Sequence, residues 1–371
     1  MSFSFGQDLV VTLFGESHGH YVGGILDGLP SGLPVNGETI KKWLLRRRPG
    51  NSEFTSQRME EDSFEIISGL KNGATNGGPI VIAMRNSDVV SDSYERIEFI
   101  PRPGHADYPA WVRYGRYRDF KGGGFFSGRM TAPLVAVGSI AIEILEKLGI
   151  RSLCYVSRIG DVAFKQEGPI GTDDPYNFKT RIPSSDRNQA AEEFLMGLMR
   201  KGDSVGAEIA ARISGVPAGI GDPFFDSVEA RMSHLMFSIP AVKGIEFGSG
   251  FRFPSMLGSE ASDPYRIEEG RVKVVENHNG GILGGLTTSA DIEFRVAVKP
   301  TSSIKLQQDS VNLISMTNSK IAVKGRHDPC IGIRAVPVVQ ACASLVILDL
   351  MISSSSTDFL KKLRKEEESK T

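Results

Sequence analysis

The stretch RPGHADYPAWVRYGRYRDFKGGGFFSGRMT, residues 102–131, combines residue types that a core strand or helix does not use. It contains several arginines, a histidine and three consecutive glycines, Gly122, Gly123 and Gly124. Consecutive glycines cost backbone entropy, and they let the main chain bend or approach another group closely. The basic side chains indicate that this group is an anion, because a glycine loop that runs into a helix start offers free N–H groups to phosphate. A solvated basic loop is the alternative interpretation, and it gives the glycines no purpose.

The sequence on both sides of this stretch predicts an α+β fold. Apolar, β-rich runs predict strands at 9–14, 22–26, 64–68, 79–84, 204–216 and 292–298, and helical spacing predicts helices at 38–45, 133–148, 190–200, 226–237 and 335–351. Asn36 is the expected N-cap of the first helix, Asp226 opens a capping box, and Pro337 is expected in the first turn of the last helix. Residues 256–270 are predicted to be a loop. Strands that come in adjacent groups between helices favour α+β over a regular βαβ alternation.

Composition limits the class of protein. The 371 residues include 43 Lys+Arg and 44 Asp+Glu, and such a balance argues against bulk binding of nucleic acid. The three cysteines are widely spaced and form no CxxC pair, which is typical of the reducing cytoplasm. No window approaches 18 apolar residues, so no membrane span is predicted. No linker divides the chain, and we expect one domain over residues 1–352 followed by a polar, flexible tail at 353–371.

Several familiar motifs are approached but not matched. Residues 15–19, GESHG, fit the G-x-S-x-G pattern of serine hydrolases, but only 14 residues precede them and a second strand follows instead of a helix, which disfavours a Ser17 nucleophile. The segment from Gly123 to Gly128 lacks the lysine and hydroxyl of a P-loop, and no G-x-G-x-x-G follows a strand. The spacing of the histidines with Asp107 fits no standard metal site, so no metal is predicted.

Arginines beside glycines, prolines or helix ends predict an anionic ligand. Arginine forks bind carboxylate and phosphate through two hydrogen bonds, and a substrate with two carboxylates and a phosphate needs about as many as the chain offers: Arg46, Arg47, Arg48, Arg58, Arg102, Arg129 and Arg326. Residues 299–303, KPTSS, end a strand with a cation and three hydroxyls, which suits a second phosphate such as a cofactor tail. Residues 326–328, RHD, place an acid beside a histidine, a combination suited to proton transfer.

Taken together, the ordered motifs resemble the chorismate synthase family from about residue 5 to residue 350. They are GESHG at 15–19, RRRPG at 46–50, RPGHADY at 102–108, GGG..SGR.TA at 122–132, KPT.SI at 299–304 and GRHDPC at 325–330. The resemblance implies a layered β-α-β fold with helices between antiparallel sheets, and a homotetramer. It also implies a 1,4-anti elimination of phosphate from 5-enolpyruvylshikimate 3-phosphate to give chorismate, which requires reduced FMN (FMNH2) although there is no net redox change.

The resemblance assigns a role to individual residues. His18 assists the leaving phosphate, His105 protonates the reduced flavin, and Asp328 lies near flavin N5 and the departing proton. Substrate binding is implied for Arg47, Arg48, Arg58, Arg102, Arg129 and Arg326. Contact with FMN is implied for Ser127, Gly128, Gly284, Gly285, Lys299, Pro300, Thr301, Ser302, Ser303 and Arg326. No NADPH-binding motif is visible, so an external flavin reductase is the expected source of reduced FMN.

Some positions depart from the family pattern. Phe125 and Phe126 follow the triple glycine where a polar residue is usual, Thr288 and Ser289 replace a common Asn-Gly, and Gln340 replaces a common glutamate. Two alternatives stay open: a flavin oxidoreductase that uses the same cofactor seat, and a non-catalytic phosphate- or nucleic-acid-binding protein. The first needs a bound hydride donor, for which no nucleotide fingerprint is present, and the near-neutral net charge argues against the second.

Overall fold

Two five-stranded antiparallel sheets frame the protein in a computed structural model that describes residues 3–50, 52–55, 62–87, 97–323 and 327–354. In spatial order, the first sheet contains Ser4–Phe5, Val10–Gly15, Tyr21–Asp27, Ile80–Arg85 and Phe64–Ser68. The second sheet contains Val242–Phe247, Ile292–Val298, Ala207–Ser214, Arg151–Ile159 and Val162–Ala163. Four two-stranded hairpins accompany the sheets: Leu70–Lys71 with Ala74–Thr75, Tyr265–Glu268 with Arg271–Val274, Ile282–Leu283 with Leu286–Thr287, and Gln308–Asn312 with Thr317–Ile321.

Two long helices, Thr131–Lys147 and Gly332–Ser353, lie between the two sheets. The α-helices are Gly37–Arg47, Asp107–Tyr114, Thr131–Lys147, Ser185–Lys201, Val228–Ser238 and Gly332–Ser353. Short 3-10 helices lie at Gly115–Tyr117, Lys121–Phe126, Gly128–Met130, Asp174–Asn177, Phe224–Asp226 and Gly250–Ser255. Thr131–Lys147 packs on the Tyr21–Asp27 strand of the first sheet, and Gly332–Ser353 packs on the Arg151–Ile159 and Ala207–Ser214 strands of the second. The predicted α+β, layered β-α-β architecture is therefore confirmed.

The helices Thr131–Lys147 and Gly332–Ser353, called the central helices below, pack directly against each other. A Cβ on Gly138 would lie 2.6 Å from the Cβ of Ala341, so only glycine permits this close approach. Each helix meets apolar surface on several sides, which explains why its apolar residues exceed a single stripe. By length and composition, the run Gly128–Lys147, which includes the first of these helices, and the helix Gly332–Ser353 could each span a membrane, contrary to the prediction that no window approaches 18 apolar residues. However, 89% and 94% of their most apolar windows are buried inside the protein, as in helices of a packed core.

Most predicted strands and helices are present, with small shifts at their ends. Asn36 caps Gly37–Arg47 as predicted, because its side chain accepts a hydrogen bond from the Glu38 N–H. The helix predicted at 226–237 is instead capped by Ser227, whose hydroxyl accepts from the Ala230 N–H. Pro337 does not lie in the first turn of the last helix, because that helix begins at Gly332.

Other elements are not predicted from the sequence. Arginine and serine residues interrupt the apolar pattern of the strand Arg151–Ile159, although neighbouring elements bury most of it. The loop prediction at 256–270 is wrong in its second half, because Tyr265–Glu268 forms a hairpin strand exposed at all four positions. The alternation of apolar and polar residues at 265–268, Tyr-Arg-Ile-Glu, is a strand pattern that the loop prediction overlooks. The helix Asp107–Tyr114 likewise falls within the stretch interpreted as a loop.

Candidate active site

The triple glycine forms a turn that holds two predicted catalytic histidines. Gly122, Gly123 and Gly124 have φ angles of 60°, 88° and 53°, which residues other than glycine rarely adopt. A Cβ on Gly122 would lie 2.0 Å from Cε1 of His18, and a Cβ on Gly123 would lie 3.1 Å from Cε1 of His105. Because these glycines have no Cβ, both imidazole rings pack directly against the main chain of the same turn.

His18 occupies the tight connection between two strands of the first sheet. Val10–Gly15 ends at Gly15, and the next strand begins at Tyr21. The Ser17 N–H donates to the Gly124 carbonyl over 3.3 Å, which ties this connection to the glycine turn. The amide of Asn86 braces it from the other side through hydrogen bonds to the carbonyls of Glu16 (3.0 Å) and Gly19 (2.7 Å).

Ser17 adds an unsatisfied hydroxyl at the same point. Its side chain is buried, and its Oγ has no hydrogen-bond partner within the described residues. The Oγ lies 3.0 Å from where a Cβ of Gly122 would stand. A buried hydroxyl usually has a partner, so this one fits a site that a ligand completes.

His105 is held by the helix-opening residue Asp107. Nδ1 of His105 lies 2.6 Å from Oδ1 of Asp107, so this nitrogen carries the proton and Nε2 faces the glycine turn. Arg102 donates to the same carboxylate through Nε (2.7 Å) and Nη2 (2.8 Å). Burial alone would raise the pKa of Asp107, but the hydrogen bonds from Arg102 and His105 and their charges outweigh it and hold that pKa far below its ordinary value. Asp107 is therefore ionised at neutral pH.

Two of the predicted substrate arginines share a buried carboxylate. Nη1 of Arg47 lies 2.9 Å from Oδ2 of Asp62, and Nη1 of Arg129 donates to Oδ1 of the same residue. The Asp62 side chain is only 1% exposed and the two arginine side chains 2% each. Burial raises the pKa of Asp62, but the charges of Arg47 and Arg129 and their hydrogen bonds lower it by more. The net shift of the Asp62 pKa is therefore downward. The cluster of Arg47, Asp62 and Arg129, called the Asp62 clamp below, thus carries both predicted arginines in fixed positions.

Asp328 lies in the segment that precedes the last central helix, and it pairs with an arginine of that helix. Nη1 of Arg334 lies 2.9 Å from Oδ2 of Asp328, and Nε of Arg334 donates to the Arg47 carbonyl over 3.2 Å. Asp328 is buried. Arg334 therefore connects the predicted base to the C-terminal end of helix Gly37–Arg47, from which Arg47 reaches the Asp62 clamp.

The predicted cofactor segment 299–303 contacts the loop that carries His105. Nζ of Lys299 and Oγ of Ser302 (3.0 Å) both donate to the Gly104 carbonyl, and Nη1 of Arg102 donates to Oγ of Ser303 over 3.3 Å. Oγ1 of Thr301 is buried without a hydrogen-bond partner in the described part of the chain. A cation and three hydroxyls, of which that of Thr301 is unsatisfied, fit the phosphate of a mononucleotide cofactor.

The other predicted cofactor residues divide into two places. Ser127 caps Gly128–Met130 through its hydroxyl, and the Gly128 carbonyl accepts from Nη2 of Arg47 (3.3 Å), so both belong to the glycine-turn region. Gly284 and Gly285 form a hairpin turn with φ angles of 62° and 89°. The Gly285 carbonyl accepts from the Val228 N–H over 3.1 Å, which links this turn to helix Val228–Ser238. Pro300 follows the strand Ile292–Val298 and packs near Gly206.

Some predicted positions lie outside the described residues. These are Arg58, Arg326 and residues 355–371 of the tail. Conversely, sequence reasoning does not identify Asp62, Asp107 or Arg334 as members of the site. Asp107 could have been found, since the spacing Arg-x-x-His-x-Asp places an acid two residues after the histidine, whereas Asp62 and Arg334 have no local signal.

Comparison with known proteins agrees with this geometry. The family model described as chorismate synthase matches residues 9–352. A protein named chorismate synthase from Korarchaeum cryptofilum is 46% identical over 354 residues, covering 94% of this chain and 97% of that protein. One of the same name from Methanosarcina barkeri is 44% identical over 355 residues, covering 94% and 96%. A solved structure described as "Crystal Structure of Chorismate Synthase" superposes with a TM-score of 0.77 at 25% identity, covering 98% of this chain and 97% of that one. The chain therefore belongs to the chorismate synthase family of lyases.

Proposed function

We propose that the chain converts 5-enolpyruvylshikimate 3-phosphate to chorismate in the shikimate pathway by a 1,4-anti elimination of phosphate. In this reaction a C–H bond and the C–O bond to phosphate break, a new double bond forms, and the proton and the phosphate leave separately. The observation that carries the proposal is the glycine turn, which brings His18 and His105 together beside Arg102 and the 299–303 segment. That arrangement offers two imidazoles for proton movement within reach of cations that hold anions.

Reduced FMN is the cofactor in this proposal, and the residues present fit it. The residues that would hold the cofactor are Lys299, Pro300, the hydroxyl-bearing residues 301–303, Ser127, Gly128, Gly284, Gly285 and Arg326. When bound, the flavin supplies electron density to the reacting carbon framework and is not consumed. The unsatisfied Thr301 hydroxyl is the feature of this chain that supports a phosphate at the segment.

The two histidines have different protein partners, which suits different roles. Asp107 fixes Nδ1 of His105, so Nε2, on the side of the glycine turn, is the nitrogen that exchanges a proton with the flavin. His18 lies beside the unsatisfied Ser17 hydroxyl, and we assign it to proton delivery to the leaving phosphate. Asp328 accepts the departing substrate proton, and its pairing with Arg334 orients the carboxylate.

The arginines bind the anionic groups of the substrate. Arg47 and Arg129 share one carboxylate in the Asp62 clamp, so those three side chains together carry one positive charge in a dry environment. Charge that is fixed out of water interacts strongly with an incoming anion. Arg48, Arg102, Arg58 and Arg326 complete the proposed substrate set.

Three properties of the wider protein belong to the same proposal. We infer one catalytic domain over residues 1–352, because both sheets pack on a shared layer of helices. A cytoplasmic homotetramer supplied by an external flavin reductase fits the three buried free cysteines, Cys154, Cys330 and Cys342, and the highly exposed Phe224, Phe225 and Phe251. Light scattering of the purified protein tests the tetramer, and a monomeric mass at micromolar concentration would contradict it.

The test of the assignment of roles compares His18→Ala and His105→Ala with the unchanged protein under anaerobic conditions. Both variants are expected to bind 5-enolpyruvylshikimate 3-phosphate with a Kd close to that of the unchanged protein. Their kcat is expected to fall by about 100-fold or more, which is the usual contribution of general acid–base groups. Turnover near that of the unchanged protein in either variant would remove that histidine from the mechanism.

A further inference from the structure

A basic cleft lies beside the candidate active site, and four of its residues have no role in the proposed reaction: Arg46, Ser52, Lys179 and Arg181. The cleft has about 250 Å³ of empty volume, and its lining includes Arg46, Arg48, Ser52, Lys179, Arg181 and Arg334. Five of these six side chains are cationic. Arg334 joins the cleft to Asp328 through their 2.9 Å ion pair.

Arg181 is the residue in this cleft whose charge is least compensated. The residue is 8% exposed, and Nη1 donates only to backbone carbonyls, those of Tyr176 (3.1 Å) and Phe178 (3.2 Å). Its guanidinium also lies 5.0 Å from the centre of the Tyr176 ring. Within the described residues no carboxylate pairs with Arg181, and its Nε has no hydrogen-bond partner. A buried cation without a counter-charge is costly, so its presence indicates an anion that the protein alone does not supply.

The neighbouring groups complete the pattern. Oγ of Ser52 is also buried and has no partner in the described part of the chain. Arg46 pairs with Asp173, and Lys179 pairs with Glu53 at 2.8 Å. Acidic partners thus neutralise Arg46, Lys179 and Arg334. Nε of Arg181 and Oγ of Ser52 remain as hydrogen-bond donors without a partner among the described residues. Two orphan donors that line one cleft fit a small tetrahedral oxyanion.

We propose that this cleft is an oxyanion site that binds a phosphate-sized dianion through Arg181, Lys179 and the Ser52 hydroxyl. This site contains no residue of the Asp62 clamp or of the 299–303 segment. Lys179 and Arg181 lie in the segment that follows Asp174–Asn177. Its phosphate comes either from free inorganic phosphate or from the phosphate group of the substrate. Both sources present the same chemistry to the cleft.

The test is calorimetric titration of the full chain with inorganic phosphate at constant ionic strength, without flavin or organic substrate. The unchanged protein is expected to bind phosphate saturably. Ser52→Ala removes one hydroxyl and is expected to weaken binding about 2- to 10-fold. Lys179→Gln is expected to weaken it about 2- to 5-fold, and Arg181→Gln about 10-fold or more.

A matched control exists on the exposed hairpin. Lys273 pairs with Glu268 at 2.7 Å, and the side chains are 55% and 49% exposed, against 50% and 51% for Lys179 and Glu53. Lys273→Gln is expected to leave the Kd for phosphate unchanged. If Arg181→Gln fails to fold, Ser52→Ala and Lys179→Gln still decide the matter, because neither removes a buried charge.

The proposal is overturned if the unchanged protein shows no saturable phosphate binding, or if all cleft variants bind phosphate as tightly as Lys273→Gln. A second titration with saturating 5-enolpyruvylshikimate 3-phosphate distinguishes the two sources. An unchanged phosphate Kd supports a site for free phosphate, and lost binding supports occupation by the substrate's own phosphate. Because phosphate binding needs no turnover, its failure is separate from a failure of the proposed reaction.

Discussion

Replacing Asp62 by asparagine removes the carboxylate of the Asp62 clamp while keeping nearly the same shape. The amide still accepts one hydrogen bond, but it also turns a donor towards Arg47 or Arg129. Asp62 is 1% exposed on its side chain, and the two guanidiniums keep their charges in the same buried volume. Removing one partner of a buried ionic cluster typically costs about 3–5 kcal/mol. We therefore expect Asp62→Asn to lower the free energy of unfolding by about that amount.

The pH dependence of this loss follows from the direction of the pKa shift. The folded protein holds the pKa of Asp62 below its ordinary value of 3.8. A group with a depressed folded-state pKa contributes stability that is present above its unfolded pKa and is lost as the pH falls through the folded value. The difference in stability between the unchanged protein and Asp62→Asn should thus be full at neutral pH and shrink below about pH 4.

The assay is denaturant unfolding followed by tryptophan fluorescence at several pH values. Trp43 is buried in helix Gly37–Arg47, which also carries Arg47, so its emission reports on the relevant region. Glu268→Gln, which breaks the exposed pair with Lys273, is the control and should cause no measurable loss. A loss in Asp62→Asn no larger than that of the control, or a difference that does not change at acid pH, would refute the reasoning.

Three other substitutions test separate parts of the structure. Gly122→Ala would place a Cβ 2.0 Å from the His18 ring at a φ of 60°, and it is expected to lower kcat about 100-fold. The control Gly270→Ala, also at positive φ but in open space, should leave kcat unchanged, and equal kcat values in the two variants would contradict the prediction. Asp107→Asn removes the charge that orients His105 and should lower kcat about 100-fold in steady-state assays. Asp309→Asn changes an exposed aspartate and should leave kcat unchanged, and a near-normal kcat in Asp107→Asn would show that Asp107 is not a positioning residue. The buried Asp349 carboxylate accepts hydrogen bonds from the N–H groups of Gln7, Asp8 and Leu9 and pairs with Arg231. Asp349→Asn should lower the free energy of unfolding by about 3–5 kcal/mol and speed hydrogen exchange at those three amides, and unchanged exchange there would contradict this role of Asp349.

The sequence predicts elements that have a clear burial pattern. The strands at 22–26 and 292–298 alternate or run apolar because neighbouring strands and helices bury them on the expected faces. The strand Tyr265–Glu268 alternates in sequence but is exposed at all four positions, so no buried face accompanies its pattern. The helix Asp107–Tyr114 is hidden for a related reason, since only Ala110 of its eight residues is buried.

The site is predicted where chemistry is carried by residue type, and it is missed where it depends on pairing. His18, His105 and the glycines stand out because few other roles suit them. Asp62 reaches Arg47 across 15 positions and Arg129 across 67, and no local rule connects such residues. Arg47 and Arg129 were predicted to face a substrate, but nothing in the sequence indicates that both share a buried carboxylate. The same limit applies to Arg181, whose significance depends on the absence of an acidic partner for it among the described residues.

The most direct measurement mixes the purified chain with 5-enolpyruvylshikimate 3-phosphate and chemically reduced FMN without oxygen, and follows chorismate absorbance and phosphate release together. Equal amounts of chorismate and phosphate are expected, with neither product formed when oxidised FMN replaces reduced FMN. FMN binding without product would contradict the proposed reaction and point to the Phe125 and Phe126 substitutions beside the glycine turn. A lack of FMN binding would contradict the proposed cofactor and leave the arginines with an unidentified anion.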